Sequence, residues 1–383
     1  MIQVGIVGSG FIGPAHIEAL RRLGFVEVVA LCDASLEAAQ EKARQLNIPH
    51  AYGDVDALLA HPGLQVVHNC TPNFLHAQVN RQILRAGKHV FSEKPLCMTV
   101  EEARELELLA QEAGVIHGVS FVYRQFAMVQ QAASMVRNGS AGRLFSAYGG
   151  YHQDWMLLET DFNWRVDAQQ GGVSRAVADI GSHWCDTVQF VTGRRIVEVM
   201  ADLAIVWSTR KASVSAETTF SEHRSDTQYQ DVPVTTEDAG SVLFRFDDGS
   251  KGCFSVSQVS AGRKNRLYFD INASNCSLGW DQETPHQLWI GQRQQANQLL
   301  SDDPGLLNHD VAGLAHFPGG HSEGWPDAFK NMMLNFYQAV RAGEMPMESA
   351  RRFASFSEGA NVMHIIDAIV KSHQQRRWVS VEQ

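Results

Sequence analysis

In "DIGSHWCD", residues 179–186, an acid and an imidazole stand four positions apart. On a helix, Asp179 and His183 share one face. A carboxylate beside an imidazole orients the ring, fixes its tautomer and favours its protonated form. That pairing suits a base that accepts a proton from an alcohol. Taken alone, the pair reads equally as a surface contact on a capped helix. A zinc site at His183 and Cys185 is rejected, because i and i+2 point to different helix faces. The sequence has no H-E-x-x-H, and no metal is expected.

What such a pair acts on depends on the elements that position a ligand beside it. The opening alternates short apolar strands with amphipathic helices. The strands are predicted at Ile2–Val7, Val26–Cys32, Val66–Cys70, His89–Ser92 and Val115–Ser120. The helices fall at Pro14–Leu23, Leu36–Leu46, Asp54–Ala60, His76–Ala86 and Val100–Ala113, the last begun by a capping box from Thr99 to Glu102. This alternation implies right-handed crossovers and a parallel sheet.

The first strand runs into "GSGFIG", where Gly8, Gly10 and Gly13 form G-x-G-x-x-G. Gly8 serves the tight turn, Gly10 the approach of a pyrophosphate, and Gly13 close packing of helix on strand. Phe11 and Ile12 complete the loop. The helix N-terminus offers free N–H groups to phosphates. Asp33 follows the second strand, 20 residues after Gly13, where a ribose-binding acid is expected. Neither Ala34 nor Ser35 can hold a 2′-phosphate, so NAD is favoured over NADP.

At 383 residues, and with roughly 150 per domain as a guide, the chain suggests two domains. The pattern changes after Ser120, giving residues 1–121 and 122–383. Net charge is −10 and no stretch concentrates Lys and Arg, so nucleic acid is not expected as a partner. No apolar run is long enough to cross a bilayer. "MIQVGIVGSG" reads as a strand and not as a signal peptide, so a cytoplasmic location is expected. Six scattered cysteines, none in C-x-x-C, read as reduced thiols.

"TPNFLH" (71–76) and "EKPL" (93–96) each follow a strand, where open α/β sheets bind ligands. With "GIVGSGFIG", "YR" and "GGVSRAVADIGSHWCD" in the same order, the chain resembles the family of glucose–fructose oxidoreductase, inositol dehydrogenase and rhizopine-catabolism proteins. The resemblance implies a Rossmann domain and an α/β domain with a large, mostly antiparallel, open-faced sheet. It implies a homo-oligomer, dimer or tetramer, formed through that open face, and a last helix that packs back on the first domain. Thr71, Pro72, Asn73 and His76 would lie along the cofactor, Glu93 at the nicotinamide-side ribose and Lys94 at nicotinamide and substrate. A cis bond between Lys94 and Pro95 is expected. The catalytic trio would be Lys94, Asp179 and His183. His183 is then the principal acid/base, Asp179 its orienter, and Lys94 the charge that stabilises a developing alkoxide.

Beyond Ser120 a helix is predicted at Ala127–Asn138, then strands at Leu144–Gly150, Ile196–Leu203, Ala239–Phe246, Gly252–Gln258, Arg266–Asn272 and Gln287–Ile290. Residues 209–231 read as a long hairpin excursion or loop. A helix near Ala176 carries the Asp–His pair, and two helices end the chain. Tyr123, Arg124, Gln153, Trp155, Asn163, Arg165 and His321 are candidate substrate contacts, with Glu323 on the same loop as His321. By resemblance, Trp164 and Arg165 lie near the nicotinamide.

These residues suit a polyhydroxylated ring, with aromatic faces over C–H surfaces and amides reading hydroxyls. The expected activity is NAD-dependent oxidation of a sugar, anhydrosugar, glycoside or cyclitol. Hydride goes to the nicotinamide C4 and the hydroxyl proton to a general base. Two alternatives stay open: a glycoside hydrolase working by transient oxidation and elimination, and a non-catalytic sensor of NAD or sugar.

Overall fold

In the computed structural model, residues 1–213 and 228–382 are described. They divide into two units: Met1–Gln125 with Trp325–Met363, and Phe126–Gly324 with His364–Gln383. The first unit therefore extends four residues beyond the expected boundary at 121 and takes in a distant part of the chain.

The first unit holds a six-stranded parallel sheet. Its strands are β1 (Ile2–Val7), β2 (Val26–Cys32), β3 (His50–Tyr52), β4 (Val66–Asn69), β5 (His89–Ser92) and β6 (His117–Val119). Their order is β3-β2-β1-β4-β5-β6, that of a doubly wound dinucleotide-binding sheet. Five helices connect them: α1 (Gly13–Arg21), α2 (Leu36–Leu46), α3 (Val55–Leu59), α4 (Asn73–Arg85) and α5 (Val100–Ala113). Strand β3 was not expected, since three half-exposed residues leave no apolar run to read. Helix α4 begins at Asn73, three residues before the predicted start. At α5 the Thr99 hydroxyl accepts from Glu102 N at 3.2 Å, but the Glu102 carboxylate reaches Met98 N rather than the Thr99 amide.

The distant part supplies α9 (Trp325–Ala342) and the start of α10 (Phe356–Gln375). It is tied in by polar groups as well as packing. Asn335 donates to Gln125 Oε1 at 2.9 Å, Gln125 donates to Arg352 O at 2.6 Å, and Ala354 bridges antiparallel to Val119.

The second unit is built on nine strands in the order β16-β15-β14-β13-β7-β12-β11-β8-β17. They are β7 (Leu144–His152), β8 (Ile196–Ala204), β11 (Ala239–Phe246), β12 (Lys251–Ser257), β13 (Arg266–Ala273), β14 (Ser277–Asp281), β15 (Gln287–Gly291), β16 (Gln298–Ser301) and β17 (Val379–Ser380). Only the β12–β7 pairing is parallel. A separate hairpin joins β9 (Thr209–Ser213) to β10 (Tyr229–Pro233). The excursion predicted at 209–231 is thus a hairpin at its base, and its middle lies outside the described residues.

One face of the large sheet is covered by α6 (Ala127–Arg137) and α8 (Ser182–Thr192). Trp184 of α8 stacks on Phe254 at 4.4 Å between centroids and donates from Nε1 to Tyr268 O at 3.0 Å. The other face is open. Met200, Leu243, Cys253, Tyr148, Asp270, Gly279, Trp289 and Leu299 are successive cross-strand partners and share that face across eight strands. Five of the eight are large apolar side chains at 37–58% exposure. Among the described residues no helix is long and apolar enough to cross a membrane.

Candidate active site

In the first unit the glycine loop does what its spacing demands. Gly8 has φ +93°, and a Cβ there would lie 2.6 Å from Cys70 O. A Cβ on exposed Gly10 would meet no protein atom within 4 Å. The loop thus packs tightly below and stays open above, at the N-terminus of α1. Asp33 is held at the loop's mouth. Its Oδ2 accepts from Ser9 N at 3.0 Å and from the Ser9 hydroxyl, and its Oδ1 accepts from Ala34 N at 2.7 Å. An open glycine turn, a free helix start and a half-exposed carboxylate fit a dinucleotide. Phe11 and Pro72 are exposed, and Ile12, Thr71 and Asn73 partly so, which leaves them accessible to it.

His76 is placed differently from the expectation. It is buried, with Nδ1 2.6 Å from Pro95 O and Nε2 2.8 Å from Thr71 O. It staples the two ligand loops together and presents no open edge. Lys94 is partly exposed, and its bond to Pro95 is cis as expected. Glu93 is buried. Burial raises its carboxyl, but the hydrogen bond with His16, the Lys94 charge and a Ser120 hydrogen bond lower it to about 2. Tyr123 and Arg124 are buried as well, and Arg124 faces Glu358, whose carboxyl it helps hold down at about 2. Arg124 therefore belongs to an interior ion cluster and not to an open contact surface.

In the second unit the segment before α8 is a π-helical turn, Val177–Gly181, with Ser182 N–H donating to Val177 O. A plain α-turn from Ala176 was expected; the widened turn is a form often found at functional sites. Buried Glu237 caps its start, accepting from Arg175 N at 3.0 Å, Val177 N at 2.9 Å and the Ser174 hydroxyl at 2.7 Å. Asp179 sits within the turn and His183 follows in α8, buried beside Tyr151 at 6.2 Å between rings. Asp179 Oδ2 accepts from Gln258 Nε2 at 2.9 Å, and Arg165 Nε lies 3.8 Å from Oδ1. Arg165 also rests over the Trp164 ring at 4.4 Å.

Two of the other candidate contacts of this unit, Gln153 and Trp155, are tied into one network. Trp155 Nε1 donates to Gln153 Oε1 at 2.7 Å, and Gln153 Nε2 donates to Asn265 Oδ1 at 2.8 Å. The Tyr151 hydroxyl donates to the same oxygen of Asn265 at 2.5 Å. Asn163 is occupied as a cap for Arg165 N at 2.8 Å. His321 is exposed, while Glu323 closes its own loop on the amides of His316 and Phe317.

Residues 2–121 match the model of the oxidoreductase family with an NAD-binding Rossmann fold, and residues 129–278 match the GFO/IDH/MocA C-terminal domain. The chain belongs to the GFO/IDH/MocA oxidoreductase family. Levoglucosan dehydrogenase of Pseudarthrobacter phenanthrenivorans is 28% identical across 100% of this chain and 98% of its own. Glucose-6-phosphate 3-dehydrogenase of Bacillus subtilis is 23% identical across 100% and 99%. A solved levoglucosan dehydrogenase in complex with NADH and levoglucosan superposes with a TM-score of 0.89 at 26% identity, covering 100% of both chains.

This member of the GFO/IDH/MocA family thus carries an NAD-binding Rossmann domain and a mostly antiparallel second sheet. Reading the sequence did not single out Gln258, Glu237, Tyr151 or Asn265. Each comes from a strand or strand end, where one polar residue in an alternating run gives no local signal.

Proposed function

We propose that the protein oxidises a ring hydroxyl of a sugar, anhydrosugar, glycoside or cyclitol, with NAD as oxidant. The support for this reading is the placement of Asp179, fixed by Gln258 in a π-turn that Glu237 caps, four residues before buried His183, in a chain alike over its full length to named sugar dehydrogenases. NAD supplies the acceptor for the electron pair and hydrogen leaving the carbinol carbon. His183 takes the hydroxyl proton. Asp179 orients the ring and favours the imidazolium that forms. Lys94 stabilises the developing alkoxide by its charge. Trp155, Gln153 and Asn163, with Tyr123, Arg165 and His321, bear on substrate choice. NAD is preferred over NADP because Asp33 would repel a 2′-phosphate.

A panel of sugars and polyols with NAD and with NADP, followed at the reduced-nicotinamide absorbance, tests this. Accumulation of NADH with one compound is the expected result. Product without net NADH would favour transient oxidation and elimination; binding without turnover would favour a sensor.

We also propose that a second copy covers the open sheet face. The support is the apolar row from Met200 to Leu299. Light scattering should find an oligomer that Leu243→Arg with Tyr148→Arg reduces to a monomer; an unaltered mass would exclude this face. Six free thiols suit a reducing cytoplasm.

A further inference from the structure

Behind Glu93 runs a buried chain of polar side chains, entirely within the first unit. His16 Nε2 lies 3.0 Å from Glu93 Oε1, the two Nδ1 atoms of His16 and His68 lie 2.8 Å apart, and His68 Nε2 lies 2.8 Å from the Tyr337 hydroxyl. His16, His68 and Tyr337 are fully buried. They come from α1, β4 and α9, and Phe91, Phe329 and Phe336 wall them with aromatic rings. On its far oxygen, Glu93 accepts the Lys94 amide at 3.2 Å.

The donors and acceptors can be assigned. A neutral imidazole has one of each, and a carboxylate only accepts. Burial holds His68 well below the usual histidine range, so its ring is neutral. Burial pushes the Tyr337 phenol well above its ordinary value, so it keeps its proton. His16 must donate from Nε2 to the carboxylate. With His16 neutral, its Nδ1 accepts from His68 Nδ1–H, and His68 Nε2 accepts from the Tyr337 hydroxyl. Every bond then points from Tyr337 towards Glu93.

We propose that His16, His68 and Tyr337 are positioning residues, a one-way hydrogen-bond chain that keeps Glu93 an oriented carboxylate and so fixes the Lys94 backbone. The role in turnover rests on Lys94 acting as proposed above; the direction of the chain does not. The groups facing Glu93 are His16 from α1, Lys94 beside it, Ser120 after β6, Cys70 after β4 and His76 from α4. From His16 the bonds continue inward through His68 to Tyr337.

Nitrogen-15 spectra of histidine-labelled full-length protein at pH 7 read the direction without any turnover. His16 should appear as the Nε2–H tautomer and His68 as the Nδ1–H tautomer, each assigned by its loss in a single variant. A doubly protonated His16 with an Nε2–H His68 would overturn the chain as drawn. Kinetics then test the positioning role. His16→Gln can donate to Glu93 and accept from His68, so kcat should stay within about threefold. His16→Leu removes both bonds; kcat should fall at least tenfold, and its acid limb should move to higher pH. Equal losses in the two variants, with unmoved acid limbs, would refute the role. If the wild-type protein turns over no sugar, the functional reading fails while the tautomer result still stands.

Discussion

The amide of Gln258 donates to Asp179 Oδ2 across 79 residues of sequence, at 2.9 Å. It fixes the carboxylate from one side while Arg165 approaches the other oxygen at 3.8 Å. A hydrogen bond to a charged group is worth about 1.5–3 kcal/mol. Gln258→Leu should therefore lower kcat roughly tenfold or more. NADH affinity, measured by fluorescence titration, should be unchanged, since the glycine loop and Asp33 are untouched. An unaltered kcat would remove Gln258 from the site.

Lys94→Ala separates binding from chemistry. Loss of a charge that stabilises an alkoxide should lower kcat by about 10²–10³. The NADH dissociation constant should stay within a few-fold, because the glycine loop and Asp33 are untouched. Turnover within tenfold of the wild type would assign the charge elsewhere.

Asp33→Ala tests cofactor choice. The carboxylate now accepts from Ser9 and Ala34 and keeps oxygen lone pairs for a ribose hydroxyl. Removing it should raise the KM for NAD about tenfold or more. The KM for NADP should fall or hold, since a negative group near the 2′-phosphate is gone. Parallel loss with both cofactors would show Asp33 to serve only the loop.

Glu358 ties acid stability to the first unit. Burial raises its carboxyl, but Arg124 and Arg351, with Ser355, bring it from 4.5 down to about 2. A depressed carboxyl stabilises the fold above its unfolded value, and this contribution is lost as pH falls towards 2. At ~1.4 kcal/mol per pH unit, the gap sets a ceiling of about 3 kcal/mol. Glu358→Gln should lower the urea midpoint at pH 7, and the difference should close near pH 2. A difference that stays constant with pH would mean that the lost contribution is not the ionised carboxylate.

What the sequence disclosed follows physical locality. Gly8 could be read because a backbone turn at φ +93° against Cys70 O admits no side chain. Asp33 could be read because strand and loop fix its distance from Gly13. The chain from Tyr337 to Glu93 could not, since His68 sits in an apolar strand and Tyr337 in an amphipathic helix, each ordinary alone. Arg124 looked like a contact residue for want of any sign that Glu358, more than two hundred positions later, would take its charge. Strands β14 and β16 escaped for a simpler reason: five and four residues with mixed polarity carry too short an alternation.

The split ownership of the first unit matters on the ribosome. Asn335, Tyr337 and Ala354 emerge only after residues 126–324 have been made. At about 5–20 residues per second, that interval is roughly 10–40 s. For that time the nascent parallel sheet lacks the phenol of its buried chain and the strand partner of Val119, which leaves the outer edge of β6 unpaired while the rest of the polypeptide is translated.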